Sequence, residues 1–133
     1  MIGILDVQQA LITTINAIGG SVPSAAEFRY QGETYTYPCV RVRVNDMAPE
    51  YRNGNCIKMG IDFEVIVFSE LPSSLQASTI AKLIQNAVAY HVMTIGGNSS
   101  SPVRVSSLTG PLPLGEDRGW AEHIMFACDV QTS

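Results

Sequence analysis

The sequence predicts an α+β fold, in which an antiparallel or mixed sheet with a long β-hairpin carries two helices on one face. Two runs, Cys39 to Asn45 and Ile57 to Ser69, alternate apolar and polar residues as half-buried strands do. Two other stretches carry apolar residues at three- and four-residue spacing, which is typical of amphipathic helices. The order of helix, strands, helix and strands favours a sheet with both helices on one side.

The two alternating runs are predicted to pair in a register set by Asn53-Gly54, because Asn-Gly tolerates the positive φ angles of a tight hairpin turn. With the turn centred there, the pairs on one face are Val44–Phe63, Val42–Val65 and Val40–Val67. Arg43 then lies opposite Glu64 on the other face, and such opposite-charge pairs stabilise a sheet. Pro49 has no N–H to donate, so we expect it to distort the distal part of the hairpin.

The second strand of this hairpin becomes apolar on both faces toward its C-terminal end, where Ile66 and Phe68 follow the polar residues of the outer face. A strand with this composition is typically buried on both sides. Helices can cover only one of these faces. The sequence therefore predicts that another sheet region, or another copy of the chain, covers Ile66 and Phe68.

The first helix is predicted from about Ile4 to Ile18, and Gly19-Gly20 ends it as a glycine cap. Its predicted apolar stripe comprises Ile4, Leu5, Leu11, Ile12, Ile15 and Ile18. The second helix is predicted from Ser73-Ser74, which can cap it, to about His91, whose place in the last turn suits the helix dipole. Its predicted stripe comprises Leu75, Ile80, Leu83, Ile84, Ala87 and Val88. We expect both stripes to pack on the sheet.

The remaining stretches alternate between strands and connections. The aromatic-rich segment from Glu27 to Pro38 is expected to cover the edge of a sheet or of a neighbouring subunit. Gly96 to Ser101 predicts a flexible connector, and Gly110 to Gly119 predicts a loop rich in glycine and proline. Val103 to Leu108 and Trp120 to Val130 predict two further strands.

The composition excludes several classes of protein. We predict a single domain over residues 1–133, in which only 15% of residues are charged, against ~25% in typical proteins. This shortage favours a surface that continues into a subunit interface. The net charge of −4 argues against nucleic acid as a direct partner, because binding phosphates needs clustered Lys and Arg. Neither a secretion signal nor a membrane-spanning run is recognisable, so we expect a protein made and kept in the cytosol without a membrane partner.

The sequence carries no recognisable catalytic, cofactor-binding or metal-binding motif. Neither histidine, His91 or His123, has a second ligand at helical or hairpin spacing. The three cysteines Cys39, Cys56 and Cys128 form no C-x-x-C and are interpreted as buried thiols in a reducing compartment. Nucleophile-elbow and phosphate-binding patterns are also absent. We therefore predict a protein that is not an enzyme and uses no cofactor.

Binding residues are expected on loops that the sheet holds in place. The predicted loops are the hairpin tip from Asp46 to Asn55, the serine-rich connector, and Gly110 to Gly119. The tip is either a mixed-charge surface for another protein or simply a mobile turn, and acidic neighbours on a glycine-rich loop are often only solvated. The predicted subunit- or partner-contacting residues are Asp46, Glu50, Tyr51, Arg52, Ile66, Phe68, Glu116, Asp117 and Arg118.

Nearly the whole chain resembles the tail terminator proteins of tailed bacteriophages, also called tail completion or tail-to-head joining proteins. The resemblance rests on the opening helix with Ile4 to Leu11, the hairpin entry from Tyr37 to Val42, the strand from Phe63 to Ser69 that leads to a helix, and the closing alternating strand. The aromatic segment and the proline-containing loop do not map onto this family.

The resemblance implies an α+β subunit that assembles as a homohexameric ring on the tail tube, in a virion put together in the host cytoplasm. Such a ring ends tube polymerisation and joins the head-side connector or stopper protein. DNA passes through its lumen, where an acidic wall would not hold it. The hairpin and loops would contact the tube protein and the neighbouring subunit.

Three other functions stay open on the sequence alone. The chain could be another phage neck or minor tail component such as a stopper, a small cytosolic protein-binding module, or an enzyme. Rings formed by the purified protein, or on added tail tubes, would separate the terminator from most of these.

Overall fold

A computed structural model describes residues 2–27, 36–53, 56–70, 74–114 and 119–132. The helices are α1 (Ile4–Asn16) and α2 (Ser74–Val88). The strands are β1 (Ala25–Glu27), β2 (Cys39–Asn53), β3 (Cys56–Ser69), β4 (Thr94–Ile95), β5 (Asn98–Ser99), β6 (Arg104–Pro113) and β7 (Trp120–Thr132). Five strands form one sheet in the order β1-β2-β3-β7-β6, with only the β1–β2 pair parallel. The predicted α+β class and mostly antiparallel sheet are confirmed.

Both helices lie on the same face of the five-stranded sheet. The buried side chains of α1, namely Val7, Leu11 and Ile15, recur every four residues and therefore form one stripe. They share a single core with Ile80, Ile84 and Val88 of α2 and with inward-facing residues of the sheet. The sheet residues of this core include Val40, Val42, Ile61, Phe63, Val65, Val67, Ile124, Phe126, Cys128 and Val130.

The predicted helical stripes are wrong at four positions. Ile4, Leu5, Leu75 and Leu83 are exposed, and Leu75 is 72% exposed. The small side chains of Ala77 and Ala81 face the core instead, because the helix rotates to bring them against the sheet. The second helix also ends at Val88, so that His91 lies beyond its last turn.

The predicted hairpin register is confirmed at every pair named from the sequence. Val44 pairs with Phe63, Val42 with Val65, Val40 with Val67, and Arg43 with Glu64. A one-residue slip would have exchanged the two faces of the sheet. The turn is not centred on Asn53-Gly54 as predicted, because Asn53 pairs with Cys56, and the named pairs hold because β2 contains two extra residues.

Two irregularities in β2 keep its distal half in phase with β3. Register shifts between Val44 and Asp46, and between Pro49 and Tyr51, leave Asn45 and Glu50 as extra residues. Beyond the first shift, Met47 lies opposite Ile61, so the apolar side of the hairpin is preserved. The distortion expected near Pro49 is confirmed, although pairing continues through it.

The prediction of a loop from Asp46 to Asn55 is wrong over most of its length. β2 runs to Asn53, and β3 begins at Cys56. The sequence Asn45-Asp46-Met47 interrupts strict alternation, and it reads as the start of a loop unless a bulge is allowed. The segment is instead a paired arm of the sheet.

The prediction of a flexible connector from Gly96 to Ser101 is also wrong. Gly96 and Gly97, with φ of +56° and +83°, turn the chain from β4 into β5. Ser100 is buried, and its hydroxyl accepts a 2.9 Å hydrogen bond from the Met93 N–H. A bridge from Ser100 to Val130 then ties this small hairpin to β7.

The two C-terminal strands are longer than predicted. β6 continues through part of the expected loop, because a register shift between Thr109 and Leu112 accommodates Gly110-Pro111. The closing strand is confirmed, with Ile124, Phe126, Cys128 and Val130 facing the core. The predictions for residues 28–35 and 115–118, which include Glu116, Asp117 and Arg118, lie outside the described residues.

Candidate partner-binding surface

The face of the sheet opposite α1 and α2, here called the open face, changes character along its length. Its apolar base comprises Cys39, Ile66, Phe68 and Ala121. Its charged centre comprises Arg43, Glu64 and His123. Its acidic zone, toward the hairpin tip, comprises Asp46, Glu50, Asp62 and Asp129.

The apolar base is buried within a single chain. Ile66 is 3% exposed and Phe68 is 5% exposed, and they form a second apolar cluster separate from the main core. Tyr37 and Leu114 pack against this cluster from the segments before β2 and after β6. The prediction of another sheet region or another copy as the cover is therefore wrong, because the covering residues belong to the same chain and lie outside its strands. The expectation that Ile66 and Phe68 need another copy does not follow from their burial.

The charged centre is organised around Glu64, which is 3% exposed. Its carboxylate pairs with the guanidinium of Arg43 on the neighbouring β2 and lies 3.1 Å from Nδ1 of His123 on β7. The hydrogen bond with His123 and the charge of Arg43 hold the pKa of Glu64 below its usual value, against burial, which raises it. Glu64 is therefore a buried carboxylate that remains charged because two neighbouring strands supply its partners.

The acidic zone gathers carboxylates from three strands. Asp46 lies directly opposite Asp62 in the β2–β3 ladder, and like charges in that position destabilise a sheet. Asp129 follows on β7, where Arg104 of β6 lies 3.6 Å from its carboxylate. All three aspartates line a shallow cavity of about 180 Å³ together with Glu50.

Glu50, the extra residue at the second irregularity of β2, belongs to this zone. Its carboxylate lies 3.1 Å from the ammonium of Lys58 and extends over Gly60, where any Cβ would collide with it. Lys58 and Arg104 are the basic side chains that contact the zone among the described residues. Among the side chains that the structure describes, four carboxylates thus contact two cations on this part of the sheet.

The structure brings together two of the predicted contact residues, Asp46 and Glu50, and places them on an exposed surface. Tyr51 and Arg52 are placed by backbone pairing with Lys58 and Ile57, and their side chains lie outside the described part. Sequence reasoning missed Asp62 and Asp129. Asp62 would have been found by carrying the register past the bulge at Asn45, whereas Asp129 required the pairing of β7 with β3.

The arrangement offers little for catalysis. Within the described ranges, no three His, Cys, Asp or Glu side chains are grouped so as to hold a metal ion. Burial raises the pKa of the Cys128 thiol to about 11, which keeps it protonated and unreactive. Neither described helix combines the length and apolar character needed to cross a bilayer.

The fold is similar to that of known proteins. One is a chain in a solved structure described as the virion of a native gene transfer agent particle, with 12% identity and a TM-score of 0.73 over 95% of each chain. A second solved protein, whose name states no function, has 20% identity and a TM-score of 0.58 over 97% of this chain and 93% of its own. At such identities the likeness concerns the fold alone. No family model and no curated protein matches the sequence.

Proposed function

We propose that this protein is a structural component of a tailed, phage-like virion, and that within the virion it acts as a tail terminator. In this role six copies form a ring at the head-proximal end of the tail tube. The ring ends tube polymerisation and presents a face to the head-side connector or stopper protein. DNA passes through the lumen, and neither a membrane nor a cofactor takes part.

The observation that carries this proposal is the fold likeness to a chain of a gene transfer agent virion, which extends over 95% of both chains. A likeness that spans both chains almost completely supports an equivalent subunit better than a shared fragment would. The resemblance in sequence supports the terminator role specifically, since its stretches correspond to α1, β2, β3 and β7.

The acidic zone supports a contact role for the distal hairpin. Carboxylates that outnumber their cations are best satisfied when basic residues of another protein approach them, and such complementarity increases specificity and association rate. We therefore keep Asp46, Glu50, Tyr51 and Arg52 as proposed contacts to the tube protein or the neighbouring subunit, together with Glu116, Asp117 and Arg118.

Disruption of the gene in a particle-producing strain tests the proposal. A terminator predicts tails of uncontrolled length that carry no heads. Tails of normal length beside unattached heads would favour the alternative, a stopper or other neck component. Particles of normal form and number would contradict any virion role and would favour a separate binding module.

The purified protein provides the complementary test. Light scattering coupled to size-exclusion chromatography should give a mass of six times the 14.4 kDa chain mass. Negative-stain images should show rings, alone or on the ends of added tail tubes. Asp62→Asn should weaken binding to tube ends, whereas Glu70→Gln removes the same charge at an exposed position outside the acidic zone and should not. Equal binding by both variants would remove the acidic zone from the proposed contact.

A further inference from the structure

The strand β6 forms one edge of the five-stranded sheet, and among the described residues no strand pairs with its outer side. An exposed edge presents a row of backbone donors and acceptors to any extended chain that approaches it. Natural proteins usually block such an edge with prolines, charges or bulges. The two halves of β6 differ in how strongly their residues block this edge.

The C-terminal half of β6 is blocked, since Pro111 and Pro113 have no N–H. The N-terminal half, Arg104 to Thr109, contains one register shift but no proline, and Arg104 at its end is its only charge. Leu108 in this half is 55% exposed. Only the N-terminal half is therefore available for strand pairing.

The opposite edge of the sheet does not offer a matching partner within the described residues. It is formed by β1, which is three residues long, and the N–H of Ala25 is already donated to the side chain of Asn16 at 2.8 Å. The N-terminal half of β6 can, however, pair with itself.

We propose that two copies of this chain pair antiparallel through Arg104–Thr109 of β6, about a two-fold axis between Ser106 and Ser107. In this register Val105 of each copy lies opposite Leu108 of the other. The bulge at Ser106 makes the match possible, because it places Val105 and Leu108 on the same side of the sheet, opposite Phe126 and Ile124 of β7. Apolar cross-strand pairs of this kind stabilise antiparallel sheets.

The same register avoids a repulsion between like charges. Each Arg104 lies opposite Thr109 of the other copy, and Ser106 lies opposite Ser107 twice. The contact is isologous, so it joins two copies and does not by itself build a ring. It is therefore independent of the proposed terminator role, and the single short strand pair makes it a small, concentration-dependent interface.

Two double variants at the exposed serines test the register. In S106K/S107K the lysine at position 106 of each copy lies opposite the lysine at position 107 of the other copy. The dimer therefore contains two pairs of like charges. In S106E/S107K the same positions carry opposite charges that attract. Both serines are exposed, so both variants should unfold as the wild type does.

Sedimentation equilibrium over a range of protein concentrations should show dimerisation of the wild-type chain. We expect the dimer Kd to rise by about tenfold or more in S106K/S107K and to return toward the wild-type value in S106E/S107K. Hydrogen exchange at Arg104–Thr109 should slow as the wild-type dimer forms. A chain that stays monomeric, or any assembly with the same mass and affinity in both variants, overturns the proposal. Binding of S106K/S107K to tube ends reports on the terminator role separately.

Discussion

The apolar base and the acidic zone are two ends of one sheet face, and neighbouring strands build both. At the base, Tyr37 and Leu114 of the same chain cover Ile66 and Phe68. At the distal end, Asp46 and Asp62 face each other across the ladder. One end is thus completed by folding, whereas the other retains a pair of like charges opposite each other in the ladder. We propose the partner contact at the acidic end for this reason.

Substitution of Phe68 by Asp provides the largest test of this comparison. If the base is internal to the chain, Phe68→Asp removes a buried aromatic ring and buries a charge, and it should lower the free energy of unfolding by about 4 kcal/mol. Urea unfolding followed by Trp120 fluorescence measures the loss. Leu112→Asp, at a half-exposed position on the same strand pair as Ala121, is the control and should change stability little. A stable Phe68→Asp protein that fails only in assembly would return the base to the subunit interface.

The start of β7 at the apolar base gives the next largest effect. Gly119 has φ of +98°, and a Cβ there would overlap the carbonyl oxygen of Ser69. We expect Gly119→Ala to lower the free energy of unfolding by about 3 kcal/mol, because steric overlap adds to backbone strain. Gly97→Ala is the matched control, since Gly97 has φ of +83° but open space around it, and should cost about 1 kcal/mol. Equal losses in thermal unfolding would show that Gly119 makes no close approach.

Glu64 lies in the charged centre, between the apolar base and the acidic zone. Glu64→Gln should lower the free energy of unfolding by about 2 kcal/mol at pH 7. Because the folded-state pKa of Glu64 lies below its ordinary value of 4.5, its charge stabilises the fold above that pH. This contribution declines as the pH falls below 4.5 toward the folded-state pKa. The wild type should therefore lose more stability than Glu64→Gln between pH 7 and about pH 3. Parallel pH profiles for the two proteins would mean that Glu64 is not held charged by its neighbours.

The smallest expected effect lies in the acidic zone and has the opposite sign. Asp62→Asn relieves the repulsion with Asp46 and should raise the free energy of unfolding by about 0.5 kcal/mol at low ionic strength. Salt screens exposed charges, so the gain should shrink at about 1 M salt. A loss of stability in Asp62→Asn would mean that the carboxylate is already satisfied within the chain.

Much of the fold could be predicted from local pattern. The pairs from Val40–Val67 to Val44–Phe63 were predicted correctly, although the ladder closes at Asn53–Cys56 and is not centred on Asn53-Gly54. Counting back from Asn53–Cys56 without bulges would place Val44 opposite Val65, and the two extra residues of β2 restore the predicted pairs. The distal arm was read as a loop, because bulges at Asn45 and Glu50 interrupt alternation without ending the strand. Beyond each bulge the side chains of β2 again match the two faces of β3. This match depends on the pairing of the two strands, which the local sequence of β2 does not reveal.

Only part of the candidate surface could be predicted, because exposed charges are visible in the local sequence whereas contacts between distant segments are not. Asp46 and Glu50 were recognised as exposed charges near the hairpin tip, and they occupy the acidic zone. Phe68 was correctly read as buried on a second side, but its cover comes from Tyr37 and Leu114, which are distant in sequence. Such long-range covers leave no periodic signal. The same holds for Asp129, which joins the zone through the β3–β7 ladder.

The two extra residues of β2 also set how this hairpin can change in length. Because the faces of a strand alternate with a period of two, adding one residue to each strand at the tip exchanges the sides that the added positions occupy. Residues added in equal number to both strands at the tip leave the inward positions of Met47 and Ile61 and the outward position of Asp62 unchanged. We expect the arm to tolerate a change in length when both strands change by the same number of residues. Deletion of Asn45 alone would remove the first irregularity and leave Asp46 opposite Asp62, with every side chain beyond it on its present face.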